Sequence, residues 1–224
     1  MENKKEMLKI FWEGNVYNPT GFATSNRWFI LEFIKQGHKV QVCDPFIPRP
    51  DIVPPDMKPE DINWNKPIIK NYKELFEKNV ITIAQDYPFA LKVYYGTKFA
   101  YVTHEGTVLP ENWADMINKN CDFPLAASKA AKRLAETNGV KRTYVVPFGV
   151  NPKYYFPAEN PDRAKDKFVF LFLNSWTGQL KDRKGFPLVL KAFAQEFAKE
   201  TDVVLFAKIS TFWMAPFDVV TAAR

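Results

Sequence analysis

The residue best placed to do chemistry is a histidine that follows an apolar run. His104 stands in "VTHEG", directly after the strand-length run "FAYVT", and is one of two histidines in the chain. An imidazole at the end of a strand can hydrogen-bond a sugar hydroxyl or stabilise a phosphate, and the adjacent Glu105 can adjust its protonation. The alternative is a solvent-facing loop histidine. His38, the second histidine, precedes a strand and lies at the wrong end of the sheet, so we assign it no function.

Glycines and polar residues follow two other strand-length runs. Gly14 and Asn15 come after "LKIFWE", and Thr20 and Gly21 begin the helical segment that follows. Glycines let the backbone approach a ligand closely, and a helix N-terminus favours a polar or anionic group. Asp86 follows "VITIAQ" and could accept a substrate hydroxyl. Each of these residues also has a structural interpretation, because glycine and aspartate mark ordinary turns.

Cations precede a later helix in "LNSWTGQLKDRKGF". Lys181, Arg183 and Lys184 surround the start of that helix, where side-chain charge adds to the helix dipole and could hold a diphosphate. The alternative is a solvated basic loop. The first strand offers no G-x-G-x-x-G spacing between Gly14 and Gly21, which counts against a nicotinamide oxidoreductase.

The elements that must position these residues alternate between strand and helix. Apolar runs of strand length separated by helical patterns predict an α/β fold with a Rossmann-like parallel sheet. Ser128 is predicted to cap the helix "KAAKRLAETNG". We expect this domain to cover residues 1–150. A segment rich in proline and polar residues, 151–167, has the composition of a linker. Residues 168–224 offer two strands and one helix, so we expect an incomplete second Rossmann-like domain.

Composition narrows the function classes. The net charge of +6 comes from scattered Lys and Arg without a basic block, which argues against nucleic-acid binding. Cys43 and Cys121 lack metal-ligand spacing and are expected to be core residues in a reducing compartment. The N-terminal apolar run is too short for a secretory signal or a membrane span, so we expect a cytoplasmic protein. Peripheral contact with a membrane surface stays open.

Four segments resemble one enzyme family. "VPFGVNPKYYFP" looks like the hinge "IPNGVD...F.P" of GT-B glycosyltransferases, and "FLFLNSWTGQLKDRKGFPLVLKAFAQEF" looks like their "F.G.....KG...L..AF" segment. "PLAASKAAKRL" and "TGFATSNRWFILEFIKQGHKVQV" are similar to two N-terminal segments of the same family. These matches follow the family's order and cover nearly the whole chain. The chain is therefore similar to family-4 retaining GT-B glycosyltransferases.

The resemblance implies an enzyme with an acceptor-side domain and a nucleotide-sugar-side domain. It implies transfer of a sugar from a nucleotide sugar to a glycan, lipid or protein acceptor, with retention and without a bound metal or other cofactor. By position, Lys184 matches the lysine that contacts the donor diphosphate, with Arg183 as a candidate neighbour. His104 matches the histidine that faces the transferred sugar, and Gly14 stands near the glycines that approach the donor phosphates and the acceptor.

Three departures from the family pattern keep a second interpretation open. The arginine that usually precedes the lysine is absent, the first loop has one glycine of a pair, and the family's late glutamates would lie beyond Arg224. We therefore expect either a transferase, as a fragment of a longer chain, or a non-catalytic shortened GT-B-like binding module. We find no two carboxylates placed in the sequence as the catalytic pair of a glycosidase, which counts against a hydrolase.

Overall fold

The computed structural model describes residues 6–17, 20–43, 67–85, 95–157, 166–175 and 184–210. The chain divides into two compact units, Met1–Tyr155 and Phe156–Arg224. The division falls inside the segment 151–167 that the sequence predicts as a linker. Each unit is an α/β structure.

The first unit contains a six-stranded parallel sheet, as expected for a Rossmann-like fold. The strand order is β2-β1-β3-β4-β5-β6, and every described pair of neighbours is parallel. The strands are β1 (Lys9–Glu13), β2 (Lys39–Cys43), β3 (Val80–Ala84), β4 (Thr97–Tyr101), β5 (Phe123–Ala126) and β6 (Tyr144–Val145). Because all six run in one direction, their carboxyl ends meet at one edge of the sheet.

Three α-helices and one short 3₁₀ helix connect these strands. The α-helices are α1 (Gly21–Lys35), α2 (Trp113–Asn120) and α3 (Lys129–Thr137), and the 3₁₀ helix covers Tyr72–Phe76. The hydroxyl of Thr20 accepts a hydrogen bond from the Ala23 amide at the start of α1, and that of Ser128 accepts one from the Ala131 amide at the start of α3. The predicted cap at Ser128 is thus confirmed, whereas α2 was missed.

The central strand β1 is buried on both of its faces. Ile10 and Trp12 pack with Ile30 of α1 in the largest core cluster of the unit. Phe11, on the other face, packs with Leu75 and Val80. A strand covered on both sides needs apolar side chains on both, which explains the three consecutive apolar residues Ile10–Trp12, while the buried charges of Lys9 and Glu13 at its two ends are held in ion pairs.

A second core cluster lies under α2 and α3. Trp113 and Ile117 of α2 pack against Val102, Leu109, Ala135 and Val140. Trp113 is therefore a core residue, and so is Trp12, whose indole stacks on Phe29 at 5.7 Å between ring centroids. In the sequence alone, both indoles stand near predicted loops and could stack on a sugar ring, but their burial makes them core residues.

The described part of the second unit contains two parallel strands and one helix. These elements are β7 (Phe168–Ser175), α4 (Phe186–Phe197) and β8 (Val203–Ser210), and they match the predicted elements. Aromatic contacts hold α4 to β7: the ring of Phe170 lies 5.4 Å from that of Phe197, and the ring of Phe172 lies 5.2 Å from that of Phe186. The next helix thus packs on the strand that precedes it, as in a βαβ unit.

Candidate functional site

The candidate site lies at the carboxyl edge of the first unit's sheet, where β1 gives way to α1. Gly14 has φ +152°, and a Cβ added there would lie 2.6 Å from the carbonyl oxygen of Gln85. The Gln85 amide in turn donates to the Glu13 carbonyl at 2.9 Å. Glycine is therefore needed at position 14 because the chain leaving β1 passes directly against the chain leaving β3.

Three amide side chains lie beside this close approach of the chain leaving β1 to the chain leaving β3. The Asn26 side chain donates to the Asn15 carbonyl at 2.8 Å, and the Gln85 side chain donates to the Ser25 hydroxyl at 2.9 Å. The side-chain oxygens of Asn15, Asn26 and Gln85 are buried and make no hydrogen bond. These three amides, Asn15, Asn26 and Gln85, are called the amide seam below.

Thr20 and Gly21 are neighbours at the start of α1, but their surroundings differ. Thr20 caps the helix, and the space beside Gly21 is open, since no atom lies within 4 Å of where a Cβ would stand. One turn further on, the guanidinium of Arg27 donates to the Val16 carbonyl at 2.8 Å and to the Thr24 hydroxyl at 3.0 Å. Arg27 therefore ties the loop to the helix from within the protein.

His104 follows β4 at the same edge of the sheet. Its half-buried ring meets the indole of Trp113 edge-on, with 5.6 Å between centroids. Its Nε2 would lie 2.6 Å from a Cβ added at Gly106. The imidazole is thus held between the first residue of α2 and the backbone of its own loop, rather than extending freely into solvent. His38 is structural: its Nδ1 accepts from the Leu8 amide at 3.1 Å.

Lys184, the one described residue among the basic candidates for binding a diphosphate, lies in the second unit just before α4. Gly185 caps this helix in the left-handed conformation, with φ +74°, and Lys184 directly precedes it. Lys184 therefore stands at a helix N-terminus, where positive side-chain charge and the helix dipole act together on an anion. Lys181, Arg183 and Asp86, the remaining predicted site residues, lie outside the described residues.

A buried ion pair lies beside the site, on the sheet face opposite α1. Lys98 Nζ donates to Glu13 Oε2 at 3.3 Å, and the two side chains are 4% and 3% exposed. Burial lowers the pKa of Lys98, and the negative charge of Glu13 opposes that shift. Sequence reasoning missed this pair, because the two residues are 85 positions apart and meet only through the registers of β1, β3 and β4.

Both cysteines are half-buried and pack against core clusters rather than within them. Burial raises the pKa of the Cys43 thiol to about 11, with a smaller contribution from the charge of Glu13, and burial raises that of Cys121 to about 11. Thiols with such pKa values are almost entirely protonated at neutral pH and are poor nucleophiles. In the described ranges no three His, Cys, Asp or Glu side chains come together as a metal site.

A separate groove of about 570 Å³ runs along α1 in the first unit. Trp28 and Phe29 supply aromatic surface, and residues 149–153 form the opposite wall. Ser25, Glu32, Lys35 and Asn151 add polar groups. A volume of this size, with a mixed aromatic and polar lining, suits a small polar ligand.

No protein-family model matches this chain, and no curated protein matches it significantly. Among the described helices, none has the length and apolar character needed to cross a bilayer.

Several of these residues were not found from the sequence. The sequence places Ser25, Asn26 and Arg27 in a helix, but the polar run "TSNR" interrupts its apolar pattern. Gln85, the last residue of "VITIAQ", has no predicted role. The structure buries Ser25, Asn26 and Arg27, so a run of polar residues within an otherwise apolar helix is the signal that could have located the seam.

Proposed function

We propose that this chain belongs to a retaining glycosyltransferase of the GT-B type, which moves a sugar from a nucleotide-sugar donor to an acceptor. One observation carries the proposal. The carboxyl edge of the parallel sheet gathers the Gly14 loop, the start of α1 and the held imidazole of His104. Ligands of open parallel sheets bind at this edge, because helix N-termini and loop amides point outward there.

In this proposal each candidate residue has a distinct role. Lys184, with Arg183 beside it, neutralises the charge that develops on the departing diphosphate. His104 hydrogen-bonds the transferred sugar and does not serve as a base. The first loop, with Gly14, orients the two hydroxylated substrates, and such orientation lowers the entropic part of the barrier. No metal or other cofactor is required, the acceptor is a glycan, lipid or protein, and the proposed location is cytoplasmic.

The test is calorimetric titration of the chain with a panel of UDP-, GDP- and ADP-sugars, repeated on Lys184→Ala. A charge-assisted hydrogen bond contributes about 1.5–3 kcal/mol, so we expect affinity for the preferred donor to fall about 10- to 100-fold. Lys191→Ala is the matched control, since it removes the same charge from an exposed position of α4. If neither the wild-type chain nor its variants bind any donor, the transferase proposal is wrong.

The groove along α1 favours a second candidate, a non-catalytic glycan-binding module. Trp28 can stack on a sugar ring, while Glu32 and Asn151 can hydrogen-bond its hydroxyls. This candidate predicts that free saccharides bind without a nucleotide, that Trp28→Ala weakens this binding, and that Lys184→Ala leaves it unchanged. Donor turnover by the chain would exclude it.

A further inference from the structure

Two aromatic side chains stand largely exposed on the 3₁₀ helix that precedes β3. Tyr72 and Phe76 are 72% and 73% exposed, the highest values among the large hydrophobic residues that the structure describes. Their rings meet edge-on, with 5.3 Å between centroids. Large apolar side chains that are exposed together, rather than singly, are typical of an interaction surface.

The helix that carries this pair is fixed to the protein. Leu75, between the two aromatic residues, is buried and packs with Phe11 and Val80. At the start of the helix, the side chain of Asn71 accepts a hydrogen bond from the Lys73 amide at 3.1 Å. Because the segment is packed and capped, it presents the aromatic pair without a further loss of backbone freedom on binding.

Both carboxylates of the segment are bound to one lysine. Lys9 Nζ donates to Glu74 Oε2 at 2.6 Å and to Glu77 Oε2 at 2.7 Å, and the Lys9 side chain is nearly buried. The hydrogen bond from Lys9 lowers the pKa of Glu74, so this carboxylate stays ionised and bound to Lys9 at neutral pH. The negative charge of the segment is therefore held against the start of β1.

The remaining charges of the segment are lysines in contact with solvent. Lys70, Lys73 and Lys78 are exposed, and within the described part of the chain none of them forms an ion pair. Lys73 and Phe76 are three positions apart, so they share one side of the 3₁₀ helix. We call Lys70, Tyr72, Lys73, Phe76 and Lys78 the aromatic–lysine surface. Its charges are complementary to an anionic partner.

The kind of cation favours lipid over protein as that partner. Protein interfaces are enriched in arginine and depleted of lysine, and residues 67–79 contain three lysines and no arginine. At a bilayer surface, aromatic rings lie at the level of the headgroups, and lysine stems extend beside them while the ammonium groups stay near lipid phosphates.

We propose that the aromatic–lysine surface docks the first unit on an anionic lipid bilayer. The proposal does not depend on the transferase function. Lys9 is the first residue of β1, so the surface lies toward the amino ends of the strands. Docking there leaves the candidate site at the carboxyl edge of the sheet accessible.

The test is co-sedimentation of the full chain with two kinds of vesicle, one of phosphatidylcholine and one of equal parts phosphatidylcholine and phosphatidylserine. We expect the wild-type chain to bind the anionic vesicles and to be released by salt. Each lysine near such a surface strengthens binding about fivefold, so Lys70→Gln/Lys73→Gln/Lys78→Gln should weaken it about 100-fold. Tyr72→Ala/Phe76→Ala should weaken it about tenfold or more, because two rings no longer enter the interface.

Two matched controls separate this surface from the charge and apolar character of the whole chain. Lys119→Gln/Lys129→Gln/Lys141→Gln removes three exposed lysines elsewhere in the first unit, and Leu188→Ala removes a side chain that is 69% exposed on α4. Both controls should keep most of the wild-type binding. Equal losses in the control and test variants overturn the proposal, and so does wild-type binding that is as strong on neutral vesicles.

A second measurement needs no variant. Backbone hydrogen exchange of the wild-type chain should slow at residues 70–78 when anionic vesicles are added, and should stay unchanged in α3. Protection elsewhere without protection at residues 70–78 contradicts the proposal. If the wild-type chain binds neither vesicle, the membrane proposal is wrong and a protein becomes the alternative partner. Donor titration is a separate measurement, so the transferase proposal and this one can fail independently.

Discussion

At the scale of single residues, the imidazole of His104 depends on a glycine two positions away. Gly106 has an ordinary backbone conformation, so alanine fits there without backbone strain, but its Cβ would lie 2.6 Å from the His104 Nε2. We expect Gly106→Ala to turn the imidazole away from its present position. Sugar-donor affinity should then fall about three- to tenfold, which corresponds to one hydrogen bond, as in His104→Ala.

Thermal unfolding and donor titration check this prediction together. Gly149→Ala is the control, because no atom lies within 4 Å of the added methyl group. The melting temperature of Gly106→Ala should stay close to that of the control. If His104→Ala weakens donor binding and Gly106→Ala does not, the loop backbone does not position the ring.

At the scale of elements, the chain from β1 into α1 contains two glycines, of which Gly14 must be glycine and Gly21 can be replaced by alanine. Gly14 combines φ +152° with close contact to the Gln85 carbonyl, whereas Gly21 is helical and faces open space. Gly14→Ala should destabilise the fold by about 1–3 kcal/mol from backbone strain, with the clash adding to this. Gly21→Ala should stabilise it by about 0.4–1 kcal/mol, because alanine restricts the unfolded chain. Urea unfolding of the two variants measures both effects, and equal stabilities would contradict this assignment of Gly14.

The sequence reveals those elements whose pattern is local. The apolar run of β1 and the Ser128 cap of α3 are short-range signals, and both predictions are confirmed. α2 was missed because its buried face shows only Trp113 and Ile117, and because its first residue follows Asn112 in the left-handed conformation without a side-chain cap. A helix with so little apolar pattern is stabilised mainly by its tertiary packing.

The sequence predicts only part of the candidate site, because some of its contacts depend on how distant strands pair. Its position at the carboxyl edge follows from parallel strands, and that prediction needs no contacts. The contacts of Gly14 with Gln85 and of Glu13 with Lys98 depend on strand order and register, which no local pattern specifies. The roles of His104 and Lys184 in catalysis stay predictions.

At the scale of the whole molecule, the described hydrophobic core is concentrated in the first unit. All four clusters of buried apolar residues lie within Met1–Tyr155. In the described part of the second unit, Phe186 is the one buried hydrophobic residue, while Phe168, Leu171 and Leu173 are largely exposed. Because apolar burial supplies most of the stability of a fold, the first unit should account for the main unfolding transition.

This distribution predicts the behaviour of a chain that ends at Tyr155. Residues 1–155 keep every described strand of the six-stranded sheet and every core cluster, so this fragment should fold and melt within a few degrees of the main transition of the full chain. Residues 156–224 alone offer two described strands and one helix, too little apolar burial for a stable fold, and should show no cooperative melting. Circular dichroism during heating compares the three chains. An unfolded 1–155 fragment would contradict this prediction, because it would show that the fold of the first unit depends on residues 156–224.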